Sequence, residues 1–466
     1  MKIKLSIYKN KRKNETINNL ANHRRNILKK YIKSNISKYL NKYKLNMNKY
    51  LYNLSIDGVV KKYPEDFIVE EITKEGILLE YGKSVGFKDV DNWNGTFIHF
   101  TLEKINWNTI DAIGTIAKHI GYKRKNFGFA GTKDKFAITT QRVGSYGVKI
   151  GDLKRINIKG ITIRDIQKTN EKLRLGDLWG NRFTIRVRLN DNDNNDNNYN
   201  NNYNITDKNN NKINNKNNNN KINKNNTNIN KLKNLKIDYV INYYGIQRFG
   251  TFRPITHIVG KFIYERDFES AFYLYCGTPL SKNSPDYEGR KLVDEENFKE
   301  CLKVYPRNMH YERRMIKEYL KSNDYKKAFN VLPPQLKCMF VNAYQSYLFN
   351  EIINKRYEYG FKPLKGDILK DNIPTGAVFG YKIKLSDGIQ GEIEREVIKK
   401  ENIDLKKFKI ENFGNFQGDR RKMIMKVYDF KYWMEDNAIV LSFKLEKGNY
   451  ATSVLREIIK DKGILR

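Results

Sequence analysis

Residues 191–231 are almost wholly Asn, Asp, Lys and Tyr, and no other feature limits so sharply how this chain can fold. A tract of that composition cannot bury enough apolar surface to offset the entropy of ordering it, so it is expected to be a disordered insertion. Strand-like and helix-like patterns resume on both sides, so the tract interrupts a folded domain.

From about Leu51 a Lys/Asn-rich stretch, residues 1–50 with basic runs at Lys9–Lys13 and His23–Lys30, gives way to short alternating segments. Phe67–Val69, Phe97–Leu102, Phe127–Ala130, Ala137–Val143 and Phe183–Leu189 carry the alternation and the β-branched and aromatic content of strands. Thr109 can cap a helix whose Ile110, Ile113, Ile116, Ala117 and Ile120 fall at helical spacing, and Gly121 ends it. A helical pattern is expected over Leu232–Tyr244. Helices dominate about 255–355, with Phe340, Val341, Tyr344, Tyr347, Leu348 and Ile352 on one face. Residues 362–427 read as short strands and glycines. Ile439, Leu441, Phe443 and Leu445 alternate as a strand, and a short helix follows from about Ala451 to Lys460. The expected fold class is α+β with large mixed sheets.

The 466 residues allow two or three domains. They include 88 Lys and Arg against 52 Asp and Glu, a net charge of +36 that would repel itself unless a polyanion is the working partner. Nucleic acid is the first candidate, because phosphate neutralisation supplies most non-specific affinity. The 31 Tyr and 24 Phe could stack on bases, although most rings in any fold are core. No run approaches the ~18 apolar residues of a spanning helix, and residues 1–50 lack the apolar segment of a signal peptide. Cys276, Cys301 and Cys338 are widely spaced, which fits a reducing cytoplasm. The five histidines, His23, His99, His119, His257 and His310, are equally scattered, so no metal site is expected.

The densest site-like stretch is Asn126–Gln141: a strand, a glycine turn, a carboxylate between two lysines, then another strand. Gly128 and Gly131 permit close approach of backbone or ligand. Lys133 and Lys135 would favour the ionised form of Asp134, which suits a nucleophile and not a proton donor. From pattern alone, a hairpin turn with solvated charges competes with this reading. A phosphate-binding loop fits less well, since Gly131-Thr132-Lys133 has the wrong order. A glycosidase site would need a second, spaced carboxylate, and none stands out near Asp134.

The segment Phe129-Ala130-Gly131-Thr132-Lys133-Asp134-Lys135-Phe136-Ala137-Ile138-Thr139-Thr140-Gln141 resembles the signature of the TruD family of tRNA pseudouridine synthases. Further stretches agree in family order: Pro64–Glu70, Leu173–Gly176 with Gly180–Thr184, Asn242–Gly250, and Gly448–Glu457. The resemblance implies that Asp134 is the nucleophile, that Phe183 stacks on the target uracil and that Asn181 shapes its pocket. Phe67 and Tyr450 would line the substrate site, Lys133 would flank it, and Arg456 resembles the basic residue set near the catalytic carboxylate. Tyr450 stands where some relatives have Phe.

The resemblance also implies a layout. A catalytic domain would be formed by 51–241 and 421–466, with a TRUD domain inserted at 242–420 and a cleft between the two domains that grips RNA; the basic extension at 1–50 and the Asn-rich tract have no counterpart in that layout. The implied reaction detaches uracil at N1–C1′, rotates it and rejoins it through C5, with Asp134 attacking C1′ or taking a ribose proton. No cofactor is implied. The expected partner is tRNA, with uridine 13 as the target, and neither DNA nor membrane; a cytoplasmic monomer is expected. A non-catalytic RNA-binding protein would account for charge and rings but not for the aspartate loop. An RNA methyltransferase would need a Gly-rich turn in a βαβ unit, which is not found.

Overall fold

In the computed structural model, residues 29–52, 54–85, 95–189 and 235–459 are described. The expected disordered tract, 191–231, lies outside them. The chain divides into two compact units. One comprises Tyr50–Asn242 and Ile424–Arg466; the other is Tyr243–Met423 together with Met1–Lys49.

The first unit is built on a nine-stranded sheet. Its strands are β1 (Gly58–Val60), β2 (Phe67–Thr73), β3 (Phe97–Ile105), β4 (Phe127–Phe129), β5 (Ile138–Tyr146), β6 (Ile161–Thr169) and β7 (Leu178–Leu189). Two more come from the C-terminal segment, Tyr428–Glu435 and Ala438–Glu446. Along the sheet the order is Tyr428–Glu435, Ala438–Glu446, β7, β2, β5, β3, β6, with β1 on β7 and β4 on β5. The pairing of β2 with β5 is parallel; the other ladders are antiparallel.

Register fixes which side chains share a face, because side chains alternate along each strand. Val69 lies opposite Phe183 and Thr139, Phe183 opposite Phe443, and Phe100 opposite Val143. This face carries two apolar clusters. Phe67, Val69, Phe183, Ile185, Leu441 and Phe443 pack with Val454, Leu455 and Ile458 of the helix Ala451–Ile459. Phe100, Leu102 and Val143 pack with Ala112, Ile113 and Ile116 of the helix Thr109–His119. Between the clusters runs a polar strip, since Leu102 faces Gln141 and Glu71 faces Asn181. The opposite face holds buried ion pairs, Glu70 with Arg182 at 2.6 Å and Glu103 with Arg164 at 2.8 Å. The following segment closes over them, Tyr81 N donating to Glu70 at 2.8 Å and Gly82 N to Glu103 at 3.0 Å.

Three local expectations change. The N-cap of the first of these helices is Asn108, whose side chain accepts from Asp111 N, while Thr109 turns its hydroxyl toward the next loop. The described part of Leu232–Tyr244 holds no helix; Tyr239–Ile241 is a strand paired with Ile424–Lys426, a partner too distant in sequence for local periodicity to reveal. Nor is the described part of the basic stretch 1–50, residues 29–50, a separate extension. Residues 29–42 are helical, Tyr39 stacks on Phe262 with ring centroids 4.5 Å apart, and Tyr43 donates to Glu401 at 2.7 Å.

The second unit is mainly helical. Its longest helix, Pro334–Arg356, packs on Thr256–Glu265 so closely that a Cβ on Gly260 would stand 2.0 Å from the Phe340 carbonyl. Residues 362–423 add short strands and one further helix, Gly388–Lys400. Among the described residues, no helix is long and apolar enough to cross a membrane, and no group of His, Cys, Asp and Glu could hold a metal ion.

Candidate active site

Asp134 sits on the loop between β4 and β5, above the polar strip, and its carboxylate is 42 % exposed. The loop backbone beneath it is tied down at three points by the buried side chains of Gln141, Thr109 and Lys104. Gln141 Nε2 donates to Gly131 O at 3.0 Å, and Thr109 Oγ1 donates to Gln141 Oε1 at 2.9 Å. Lys133 N donates to that same Thr109 hydroxyl at 2.9 Å. Lys104 Nζ donates to Asp134 O at 2.9 Å and to Trp107 O at 2.5 Å. The bonds to Gly131 O, Lys133 N, Asp134 O and Trp107 O satisfy backbone groups that burial would otherwise strand, and the Thr109–Gln141 bond orients the two side chains that make them. The loop is therefore rigid where it carries an exposed acid.

Lys104 is fully buried, and its ammonium is pushed down to about 8 by that burial. The Asp134 charge partly opposes the shift and Lys133 adds to it. Lys133, expected to flank the substrate, instead turns its own ammonium inward to Glu71 Oε2 at 2.5 Å. Both groups are buried, so removing either one would leave the other as an uncompensated buried charge. Glu71 in turn accepts from Arg142 N at 3.0 Å. Lys133 thus anchors the loop.

The cation that faces Asp134 is Lys61, with Nζ 3.4 Å from the carboxylate. The same ammonium lies 3.9 Å above the Phe67 ring. Sequence reasoning missed this residue, although it stands just ahead of the Pro64–Glu70 motif. Its backbone is in the left-handed region at φ 62°, where a side chain with Cβ is strained. Strain of this kind clusters at functional sites. Arg456, the basic residue expected near the carboxylate, is buried in the helix Ala451–Ile459 with its guanidinium 4.2 Å over the Tyr50 ring.

The structure joins several of the other expected residues. Phe67 meets Phe183 edge-on at 6.3 Å, and Phe183 stacks on Phe443 at 5.6 Å. Phe67 and Phe183 are 3 % and 7 % exposed, so both also serve as core. Asn181 lies two residues before Phe183 on the same strand face, and its Oδ1 is buried with no hydrogen-bond partner among the described residues. A buried acceptor of that kind calls for an explanation, and a ligand donor would supply one. Tyr450 is half-buried on the turn before the C-terminal helix, its carbonyl accepting from Ser453 N at 3.0 Å.

The arrangement offers an exposed carboxylate with a cation at hand, aromatic rings beneath that cation and a buried amide acceptor. The model of the family tRNA pseudouridine synthase D (TruD) matches residues 44–373 and 369–458. A Methanocaldococcus jannaschii protein named "Probable tRNA pseudouridine synthase D 1" is 59 % identical over 90 % of this chain and 99 % of its own. One from Methanococcus maripaludis, "Probable tRNA pseudouridine synthase D", is 58 % identical over 89 % of this chain and 98 % of its own. A crystal structure of a Methanosarcina mazei protein described as "Putative tRNA pseudouridine synthase D (TruD)" superposes with a TM-score of 0.66 at 29 % identity, covering 90 % of this chain and 97 % of that one. By sequence and by α+β fold, the chain belongs to the TruD family of tRNA pseudouridine synthases.

Proposed function

We propose that this chain isomerises a uridine of tRNA to pseudouridine with Asp134 as the acting carboxylate, and that uridine 13 is its target. The observation that carries the reading is the Asp134 loop itself, an exposed acid on a backbone held by Gln141, Thr109 and Lys104, with Lys61 at 3.4 Å. Preorganised charge of this kind is what a reacting centre needs.

The uridine must first leave its stack, because the reacting bonds are shielded within it. Phe67 and Phe183 supply flat apolar surface for the released pyrimidine, and the unpartnered Asn181 Oδ1 can accept from an N–H on its edge. Asp134 then acts at the sugar, by attack on C1′ or by taking a ribose proton; both roles use the ionised acid. The N1–C1′ bond breaks, uracil turns, and C5 bonds to C1′. The proton on C5 is lost and N1 gains one, so the product is an isomer of the substrate. By resemblance to the family motif, Tyr450 lines the same pocket.

Incubating the protein with tRNA carrying 5-tritiated uridine tests this directly, since forming the C5–C1′ bond frees the label. Tritium release with pseudouridine mapped at one position is expected. Binding of tRNA without release would leave a non-catalytic RNA-binding protein.

A further inference from the structure

The motif Leu173-Arg174-Leu175-Gly176 lies in the connection between β6 and β7 and takes no part in the chemistry above. Its two leucines have opposite fates. Leu173 is seated on the sheet: a Cβ on Gly128 would come within 2.8 Å of its carbonyl, and one on Gly144 within 2.9 Å of its own Cβ. Leu175 is 78 % exposed. A single exposed leucine ordinarily means nothing. This one is held out on a backbone fixed from several sides. Arg174 N donates to Asp177 Oδ2 at 2.7 Å, and Asp177 N returns a bond to Arg174 O at 3.1 Å. Gly176 N donates to Ala130 O at 2.7 Å, four residues before Asp134. Gly176 O accepts from Lys447 Nζ at 2.7 Å, on the turn that leads to Tyr450.

The tip is therefore strapped both to the loop bearing Asp134 and to the turn bearing Tyr450. Around it Lys172, Arg174 and Lys447 are exposed cations and outnumber the exposed acid Glu171. A rigid apolar prong among positive charges suits a partner with apolar faces inside and phosphates outside, which is the make-up of stacked nucleotides. We propose that Leu175 is a wedge that enters the tRNA stack and fills the gap left by the everted uridine. This rests on the function proposed above. Apolar side chains inserted between base steps unstack nucleic acid in just this manner, and a filled gap keeps the flipped base from falling back.

The test compares wild type, Leu175→Ala and Leu175→Met on 5-tritiated uridine tRNA under single-turnover conditions, with tRNA affinity measured beside it. Leu175→Ala is expected to slow tritium release roughly tenfold or more, since eversion is the step it hinders. Its affinity should stay within about twofold, because phosphate contacts dominate binding. Leu175→Met, long and apolar, should recover most of the rate. With 2-aminopurine beside the modified uridine, the fluorescence rise on binding Asp134→Asn protein should be lost in the Asp134→Asn/Leu175→Ala double variant. An unchanged release rate in Leu175→Ala, a Leu175→Met rate as low as that of Leu175→Ala, or an undiminished fluorescence rise would each overturn the wedge while leaving the enzyme assignment intact. No release by wild type would instead overturn the assignment beneath it.

Discussion

Lys61 holds an unfavourable backbone torsion and in return places one ammonium against both Asp134 and the Phe67 ring. Replacing it with glycine relieves the strain, whereas alanine keeps it. Lys61→Gly is therefore expected to be more stable than Lys61→Ala by about 1 kcal/mol in chemical denaturation, with both slow in tritium release. Equal stabilities would show that the torsion is unstrained. If Phe183 carries the stacking proposed above as well as core packing, its substitutions should separate the two. Phe183→Ala loses core packing by ~3–5 kcal/mol as well as base stacking worth ~1–3 kcal/mol. Phe183→Leu should restore most of the stability and little of the single-turnover rate. If Phe183→Leu turns over like wild type, the ring does not stack on uracil.

At the level of elements, the acid's loop depends on side chains contributed by the helix Thr109–His119 and by β3 and β5. Thr109→Val keeps the shape but leaves Lys133 N and Gln141 Oε1 without their partner, which should cost about 1–3 kcal/mol; its effect on turnover should fall on kcat more than on KM. Lys104 adds a pH signature. Its folded-state value of about 8 lies below the ordinary 10.5, so between these values the unfolded chain binds more protons and stability rises with pH. The contribution is complete above 10.5 and is lost as pH falls through about 8, an interval worth up to about 3 kcal/mol. The stability difference between wild type and Lys104→Met, measured by denaturation across that range, should shift in favour of wild type as pH rises. A flat difference would mean that Lys104 titrates normally.

The same elements explain what the sequence could and could not reveal. Strands such as Phe97–Ile105 and Ala438–Glu446 were legible because one of their faces is apolar. The helix Gly388–Lys400 was not, because its buried face mixes Ile393 and Val397 with Gln390 and Glu394, the latter paired with Arg420 at 2.7 Å, so buried polar residues blur the apolar period. Lys61 was likewise hidden. Nothing in Val59-Val60-Lys61-Lys62-Tyr63 marks which lysine will bend back toward a loop more than seventy positions away. Asp134 was legible only through its motif, since local pattern alone left a solvated hairpin turn open.

For the whole molecule, a net charge of +36 predicts that tRNA affinity falls steeply and log-linearly with salt. With about 6–10 phosphates neutralised, the loss between 50 and 200 mM would be roughly 10³–10⁵; a near-flat salt dependence would contradict phosphate-led docking. The claim on which the rest depends is chemical, that one carboxylate performs the isomerisation. Single-turnover tritium release by Asp134→Asn, measured with tRNA affinity in the same preparation, addresses it most directly. The account predicts no release at near wild-type affinity, and release at the wild-type rate would contradict it.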